Sequence, residues 1–262
     1  MRKTEKKISE LLSIMEELRR SCPWDRAQTP QTLRQYILEE AYEVIQTIDE
    51  EQWDKLCEEL GDLLLQIVFQ CAIAEEQKRF RFSDVLQSVI DKMIDRHPHV
   101  FSDVEVNSAD EVADNWEHIK VANENRTSVL SGIPEHAPAL LRAQRLQEKA
   151  ARVGFDWVEI DGVLTKVEEE LAELKEAVEQ NEKKAITEEL GDFLFSTVNL
   201  CRFLNVVAED ALRLTNKKFV SRFQEIESRF DGNYEKMKNA GLQELDKIWE
   251  ETKHKPKNDK NS

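Results

Sequence analysis

Glu40-Ala-Tyr-Glu43 and Glu59-Leu-Gly-Asp62 return 130 residues later as Glu170-Leu-Ala-Glu173 and Glu189-Leu-Gly-Asp192. Both copies separate the two halves of the pattern by the same fifteen residues, and both carry an extra glutamate before the later half, Glu58 and Glu188. A helix advances about 100° per residue, so carboxylates three apart point the same way. Each half of the pattern is therefore a pair of acids on one helix, and two such helices can aim four carboxylates at one point. The surrounding apolar residues agree. Ile37, Ala41, Val44, Ile45 and Ile48 form a stripe on a helix over about 31–48, and Leu56, Leu60, Leu63, Leu64, Ile67 and Cys71 form another over about 51–76. The acids fall on matching flanks of the two stripes, as a site shared by packed helices requires.

The duplication extends past the acids. Trp24 and Trp116 match Trp157 and Trp249 at a shift of 133, Gly61 and Cys71 match Gly191 and Cys201 at 130, and Lys92 and Arg96 match Lys218 and Arg222 at 126. Small changes of shift are changes of loop length, so the chain reads as a tandem duplication of all-α domains. The expected boundaries are 1–122 for the first repeat, 123–138 for a polar linker holding Gly132, Pro134 and Pro138, 139–253 for the second, and 254–262 for a disordered tail. Beside the acid-bearing pair, the first repeat is expected to hold a helix ending before Cys22, a turn-rich loop marked by Pro23 and Pro30, a helix over 83–96, and one carrying Trp116. The second repeats the plan with helices over about 139–152, 161–179, 182–204 and 209–229 and a last one carrying Trp249.

A net charge of −16 over 262 residues argues against a nucleic-acid partner, which needs a basic footprint. No glycine-rich phosphate loop is present. The four cysteines form no regular framework and read as thiols of a reducing compartment. No run approaches the roughly 18 apolar residues of a membrane span, and the N-terminus leads into an amphipathic helix rather than an apolar signal core. The expectation is a cytoplasmic protein with no membrane contact.

A lone E-x-x-E is usually a solvated helix face. Here the same four acids recur with the same gap, each time beside a glycine inside a helix, which costs about 1 kcal/mol against alanine. Close approach of another backbone, or space for a ligand, explains Gly61 and Gly191. All-oxygen ligands suit Mg²⁺, with Mn²⁺ the alternative. A di-iron bundle needs Glu-x-x-His pairs, and no histidine falls inside an acidic pattern. The pairs Lys92–Arg96 and Lys218–Arg222 are either salt-bridging surface or phosphate contacts. Trp116 and Trp249 either anchor a core or stack on a base. The His97-Pro-His99 turn, which has no counterpart in the second half, is structural.

Together with Cys22-Pro-Trp-Asp25, Arg96-His-Pro-His-Val-Phe101 and Val153-Gly-Phe-Asp-Trp157, these patterns closely resemble the MazG nucleoside triphosphate pyrophosphohydrolases in their two-repeat bacterial form, over about 8–253. The resemblance implies tandem all-α, four-helix-bundle-like domains in a homodimer that uses Mg²⁺ to hydrolyse nucleoside triphosphates to monophosphate and pyrophosphate. It implies metal ligands at Glu170, Glu173, Glu189 and Asp192, with Glu169 and Glu188 beside them. Lys218 and Arg222 would hold phosphates, Lys166 would assist, and Trp249 would border the nucleotide. The first repeat matches through Glu40, Glu43, Glu59, Asp62, Lys92 and Arg96. Water activation falls to one of Glu169, Glu170 or Glu189. One departure stands out: Ala185 lies four before Glu189, where relatives can carry a basic residue, and Lys183 or Lys184 is its substitute. The alternative reading is a nucleotide-sensing module that docks a regulatory protein, with one or both repeats silent.

Overall fold

The computed structural model describes residues 2–102, 104, 106, 108, 111–112 and 128–253. The expected helix around Trp116, the first part of the linker (123–127) and the tail at 254–262 lie outside the described residues. Among those described, regular structure is helix alone, and the chain divides into two units, Met1–Lys120 and Val121–Ser262. The first holds α1 (Arg2–Ser21), α2 (Pro23–Ala27), α3 (Arg34–Asp49), α4 (Trp53–Glu76), α5 (Phe82–Arg96) and α6 (Pro98–Phe101). The second holds α7 (Ala139–Ala151), α8 (Ile160–Gln180), α9 (Lys183–Phe203), α10 (Ala208–Arg229) and α11 (Tyr234–Lys253). α11 is broken at Gly241, whose φ of 72° is not helical.

Each unit is built on one antiparallel helical hairpin, α3–α4 in the first and α8–α9 in the second. The two turns are alike. Their central residues, Glu51 and Asn181, sit in the left-handed region at φ 55° and 56°. Each donates its backbone N–H back into the helix just ended, to the Ile48 carbonyl at 3.2 Å and the Val178 carbonyl at 3.1 Å. Glu43 and Glu59 lie eight residues either side of Glu51, and Glu40 and Asp62 lie eleven either side. Glu173, Glu189, Glu170 and Asp192 repeat those offsets about Asn181. At 1.5 Å per residue, equal offsets on two antiparallel helices put the acids level, about 12 and 16 Å from the turn.

The core of the first unit gathers Met15, Leu33, Val68, Phe69 and Ile73, with Tyr36 and Leu65 packed against it. Arg19 ties it together. Its Nε and Nη2 donate to the Glu76 carboxylate at 2.8 and 2.6 Å, Nη1 donates to the carbonyls of Asp25 and Gln28, and the guanidinium lies 5.7 Å from the Phe69 ring centre. The expected stripes are half right. Cys71 is buried and Ile37, Ala41, Val44, Leu56 and Leu63 are half-buried, but Ile45, Ile48, Leu60, Leu64 and Ile67 are exposed. α3 and α4 are apolar on two faces, the hairpin covers one, and periodicity alone does not say which. The Pro23 segment, expected as a loop, forms the short helix α2, with proline in the first turn where its missing N–H costs nothing.

Among the described helices α5 packs against α4 and α6 alone, and α10 packs against α7, α9 and α11 but not against α8. Both carry exposed apolar rows: Leu86, Val89, Ile90 and Ile94 on α5, and Leu212, Phe219 and Val220 on α10. No single described helix is long and apolar enough to cross a membrane.

A left-handed conformation is costly for glutamate and tolerated by asparagine. Glu51→Asn is therefore expected to stabilise the first unit by about 0.5–1 kcal/mol, read as a higher urea midpoint with an unchanged slope.

Candidate metal centres and the cavity beside the second

The hairpins bring three acids of each repeat together. One carboxylate oxygen from each of Glu40, Glu43 and Glu59 lies within 4.8 Å of the others, and Glu170, Glu173 and Glu189 repeat the arrangement. The fourth acid stands close by in each case. Asp62 repels Glu40 and Glu59, and Asp192 repels Glu189. The sequence pattern placed these acids on flanks, but Glu59 and Glu170 are buried in the seam between the helices, 7% and 6% exposed.

Loss of hydration, and then mutual repulsion, pushes several of these carboxyls above the ordinary glutamate range. At Glu40 the repulsion comes from Asp62, Glu43 and Glu59. At Glu59 a hydrogen bond shared with Glu43 adds to it. At Glu189 it comes from Glu173, Asp192 and Glu170. The buried Oε2 of Glu170 has no hydrogen-bond partner. A converging all-oxygen set with an orphaned buried oxygen fits a hard divalent cation. Gly61 and Gly191 have open space where a side chain would begin, so no backbone within the unit crowds them.

Each buried acid is paired with a lysine one turn earlier on its own helix, and the repeats place that lysine differently. Lys55 precedes Glu59 in the first, at 3.9 Å. Lys166 precedes Glu170 in the second, at 2.7 Å, and also holds Glu169 at 2.9 Å. Those hydrogen bonds, to Glu170 first and Glu169 second, raise the Lys166 ammonium well above the usual lysine range. Position 36, the match to Lys166, is Tyr36, and Ala185 matches Lys55. Lys184 pairs instead with the exposed Glu188 at 3.8 Å, and Lys183 is exposed.

Beside the second acid cluster lies a cavity of about 350 Å³, lined among others by Phe155, Trp157, Phe195, Lys166, Glu170 and Asp192. The pattern analysis did not pick out its aromatic walls as a site. Trp157 is seated by Gly162, where any Cβ would run into its indole. The loop carrying Phe155 and Trp157 is fixed by a two-pronged ion pair from Arg202 to Asp156, 2.9 Å on one arm. Gln147 closes another wall, its Nε2 donating to the Phe195 carbonyl at 2.8 Å. In the first unit the residues at two of the matching positions are bulky aromatics, Tyr36 for Lys166 and Phe69 for Asn199. Phe69 is 3% exposed, with Tyr36 packed on its cluster and Arg19 over its ring.

Lys218, Arg222 and Trp249 form a separate group on α10 and α11. The Arg222 guanidinium lies 5.6 Å from the Trp249 ring centre, and Phe219 lies 5.3 Å from the same ring. None of the three lines the cavity. Lys92 and Arg96 sit on α5, which does not pack against α3. Trp116 lies outside the described residues.

An acid whose folded pKa is raised holds its proton more tightly in the fold than in the open chain. Stability therefore falls as pH rises above the ordinary glutamate range, about 4.3. In EDTA the melting temperature of the second unit is expected to drop over this rise. Mg²⁺ should raise it and remove the slope, and Glu189→Gln should show a smaller slope and a smaller Mg²⁺ effect. Calorimetric scans across pH, with and without Mg²⁺, check this.

The sequence matches the family model of the MazG nucleotide pyrophosphohydrolase domain twice, at residues 28–101 and 160–238. It is 45% identical to the nucleoside triphosphate pyrophosphohydrolase/pyrophosphatase MazG of Thermotoga maritima, covering 94% of this chain and 95% of that protein. It is 42% identical to the nucleoside triphosphate pyrophosphohydrolase of Escherichia coli K12, covering 94% and 97%. An uncharacterized Bacillus subtilis protein, YabN, is 43% identical over 94% of this chain and 51% of its own length. Two matched domains, each carrying its own converging acids, and full-length relatives at this identity place the chain in the MazG family.

Proposed function

We propose that this chain is a Mg²⁺-dependent nucleoside triphosphate pyrophosphohydrolase whose turnover is seated in the second repeat. The observation that carries this is the cavity of about 350 Å³ opening onto Glu170 and Asp192. An acid cluster alone holds a cation. An aromatic-walled cavity beside it also has room for a nucleobase. Glu170, Glu173, Glu189 and Asp192 would hold the ion, with Mn²⁺ as a substitute. When bound, the ion supplies the positive charge that lets an acidic site accept a triphosphate.

The rest falls to the chain's own side chains. Trp157, Phe155 and Phe195 enclose the base and exclude water from it. Lys166, Lys218 and Arg222 neutralise the phosphates, and the positive charge they supply stabilises pyrophosphate as it leaves. One of Glu169, Glu170 or Glu189 takes the proton of the water that attacks the α-phosphorus. Glu189, whose carboxyl is held above the ordinary range by its neighbours, and Glu169, exposed beside Lys166, are both suited to it. Glu188 borders the site from the solvent side. Trp249, stacked on Arg222, borders the nucleotide from α10 and α11.

In the first repeat Glu40, Glu43, Glu59 and Asp62 hold a cation, with Lys92 and Arg96 on α5 facing phosphate. Tyr36 and Phe69 stand where the second repeat has the cavity-lining Lys166 and Asn199. That replacement favours a structural or sensing role for this repeat, including docking of a regulatory protein. The apolar rows of α5 and α10 support a homodimer, which would also bring the basic pairs to a bound triphosphate. We place the protein in the reducing cytoplasm, where its free thiols Cys22, Cys57, Cys71 and Cys201 persist.

Incubation with each nucleoside triphosphate and Mg²⁺ should yield monophosphate and pyrophosphate, with one non-hydrolysable nucleotide bound per chain at saturation. Glu189→Gln is expected to lower turnover by roughly 10³-fold while leaving the fold intact by circular dichroism. Diphosphate with orthophosphate would indicate attack at the γ-phosphorus, and no product would favour the sensing module. Sedimentation should show a dimer that Val220→Asp dissociates; an unchanged association state would remove α10 from the interface.

A further inference from the structure

Lys166 is drawn into the second acid cluster from one turn upstream. Its ammonium lies 2.7 Å from Glu170 Oε1 and 2.9 Å from Glu169 Oε1, and its side chain is 37% exposed. Glu170 itself is buried, its other oxygen has no partner, and it lies within 4.8 Å of Glu173 and Glu189. Lys166 therefore neutralises the acid at which a divalent cation would do the same, and one carboxylate cannot serve both cations fully. It also lines the cavity, so its ammonium lies next to the space a nucleotide would enter. In the first repeat Tyr36 takes this position, and the lysine that faces the buried acid, Lys55, comes from the other helix and stays 3.9 Å from Glu59.

We propose that Lys166 is a resident counter-ion of the second site, displaced from Glu170 when the divalent cation enters and handed on to the phosphates of the nucleotide. The proposal rests on the reading of the acids as a metal site. Its physical basis is competition followed by transfer. Before metal binds, the ammonium relieves repulsion among Glu170, Glu173 and Glu189 and so weakens the gain from binding the ion. After metal binds, the ammonium keeps only the exposed Glu169, and a triphosphate supplies the second anion in place of Glu170. Metal and nucleotide thereby favour each other's binding through one side chain, and the coupling is reciprocal. The device gives the second repeat a reason to load the ion and the nucleotide together, which the first repeat lacks.

Isothermal titration of Mg²⁺ into the full chain tests this, with Glu59→Gln as the background so that only the second cluster is read. Adding Lys166→Gln should tighten Mg²⁺ binding in the absence of nucleotide by roughly tenfold, within the usual range of site-to-site coupling. At saturating Mg²⁺ the same change should weaken binding of a triphosphate with a methylene between its α- and β-phosphorus by a similar factor. Lys166→Arg, which keeps the charge, should restore the weak Mg²⁺ affinity. A lysine that only touches phosphate would leave Mg²⁺ affinity unchanged, and one needed only for folding would weaken both. Either result overturns the proposal, as does unchanged binding of the analogue. If neither chain binds Mg²⁺, the reading of the acids as a metal site fails instead.

Discussion

Like charges do not gather in a protein seam without a partner, and the fold of each unit is arranged to make them gather. Four carboxylates sit at mirrored distances from a tight turn, so forming the α3–α4 or α8–α9 hairpin brings them level. Folding each hairpin concentrates negative charge, and the raised proton affinities of Glu40, Glu59 and Glu189 report the cost. The lysines one turn upstream, Lys55 and Lys166, offset part of it. In the reading proposed above, a divalent cation would offset the rest and make a repulsive cluster able to accept phosphate.

The two repeats solve the same charge problem differently. In the first, Tyr36 and Phe69 pack into the core, and Arg19 ties α1, the following loop and α4 together. In the second, Lys166 and Asn199 stand at the positions of Tyr36 and Phe69. Arg202 reaches across to Asp156 instead, and the space between becomes a cavity with aromatic walls. One duplicated hairpin thus carries two different surroundings for its acids. The choice is made by a few side chains outside the acidic pattern.

Much of this was legible in the sequence. The repeated acids indicated the pairing of helices and the convergence of acids within each hairpin, because spacing along a helix fixes direction. The buried faces were less legible. Leu60, Leu64 and Ile67 were expected inside and lie outside, since a helix apolar on two sides has two equally good stripes. Lys218, Arg222 and Trp249 were recognised by their repeated positions, yet α10 does not pack on α8, and a linear pattern cannot show that separation. The cavity escaped for another reason. Phe155, Trp157, Phe195 and Asn199 come from a loop and a helix far apart in sequence, and no spacing rule links them. The seat of Trp157 against Gly162 was the signal present, a glycine five residues after an aromatic at a helix start.

The account depends on a hard cation standing among the acids of the second hairpin. Crystals soaked in Mn²⁺ and measured at the manganese absorption edge test that directly. The account predicts an anomalous peak bonded to carboxylate oxygens of Glu170, Glu173, Glu189 and Asp192, at about 2.2 Å. Manganese bound elsewhere, with those four side chains turned into solvent, would contradict it.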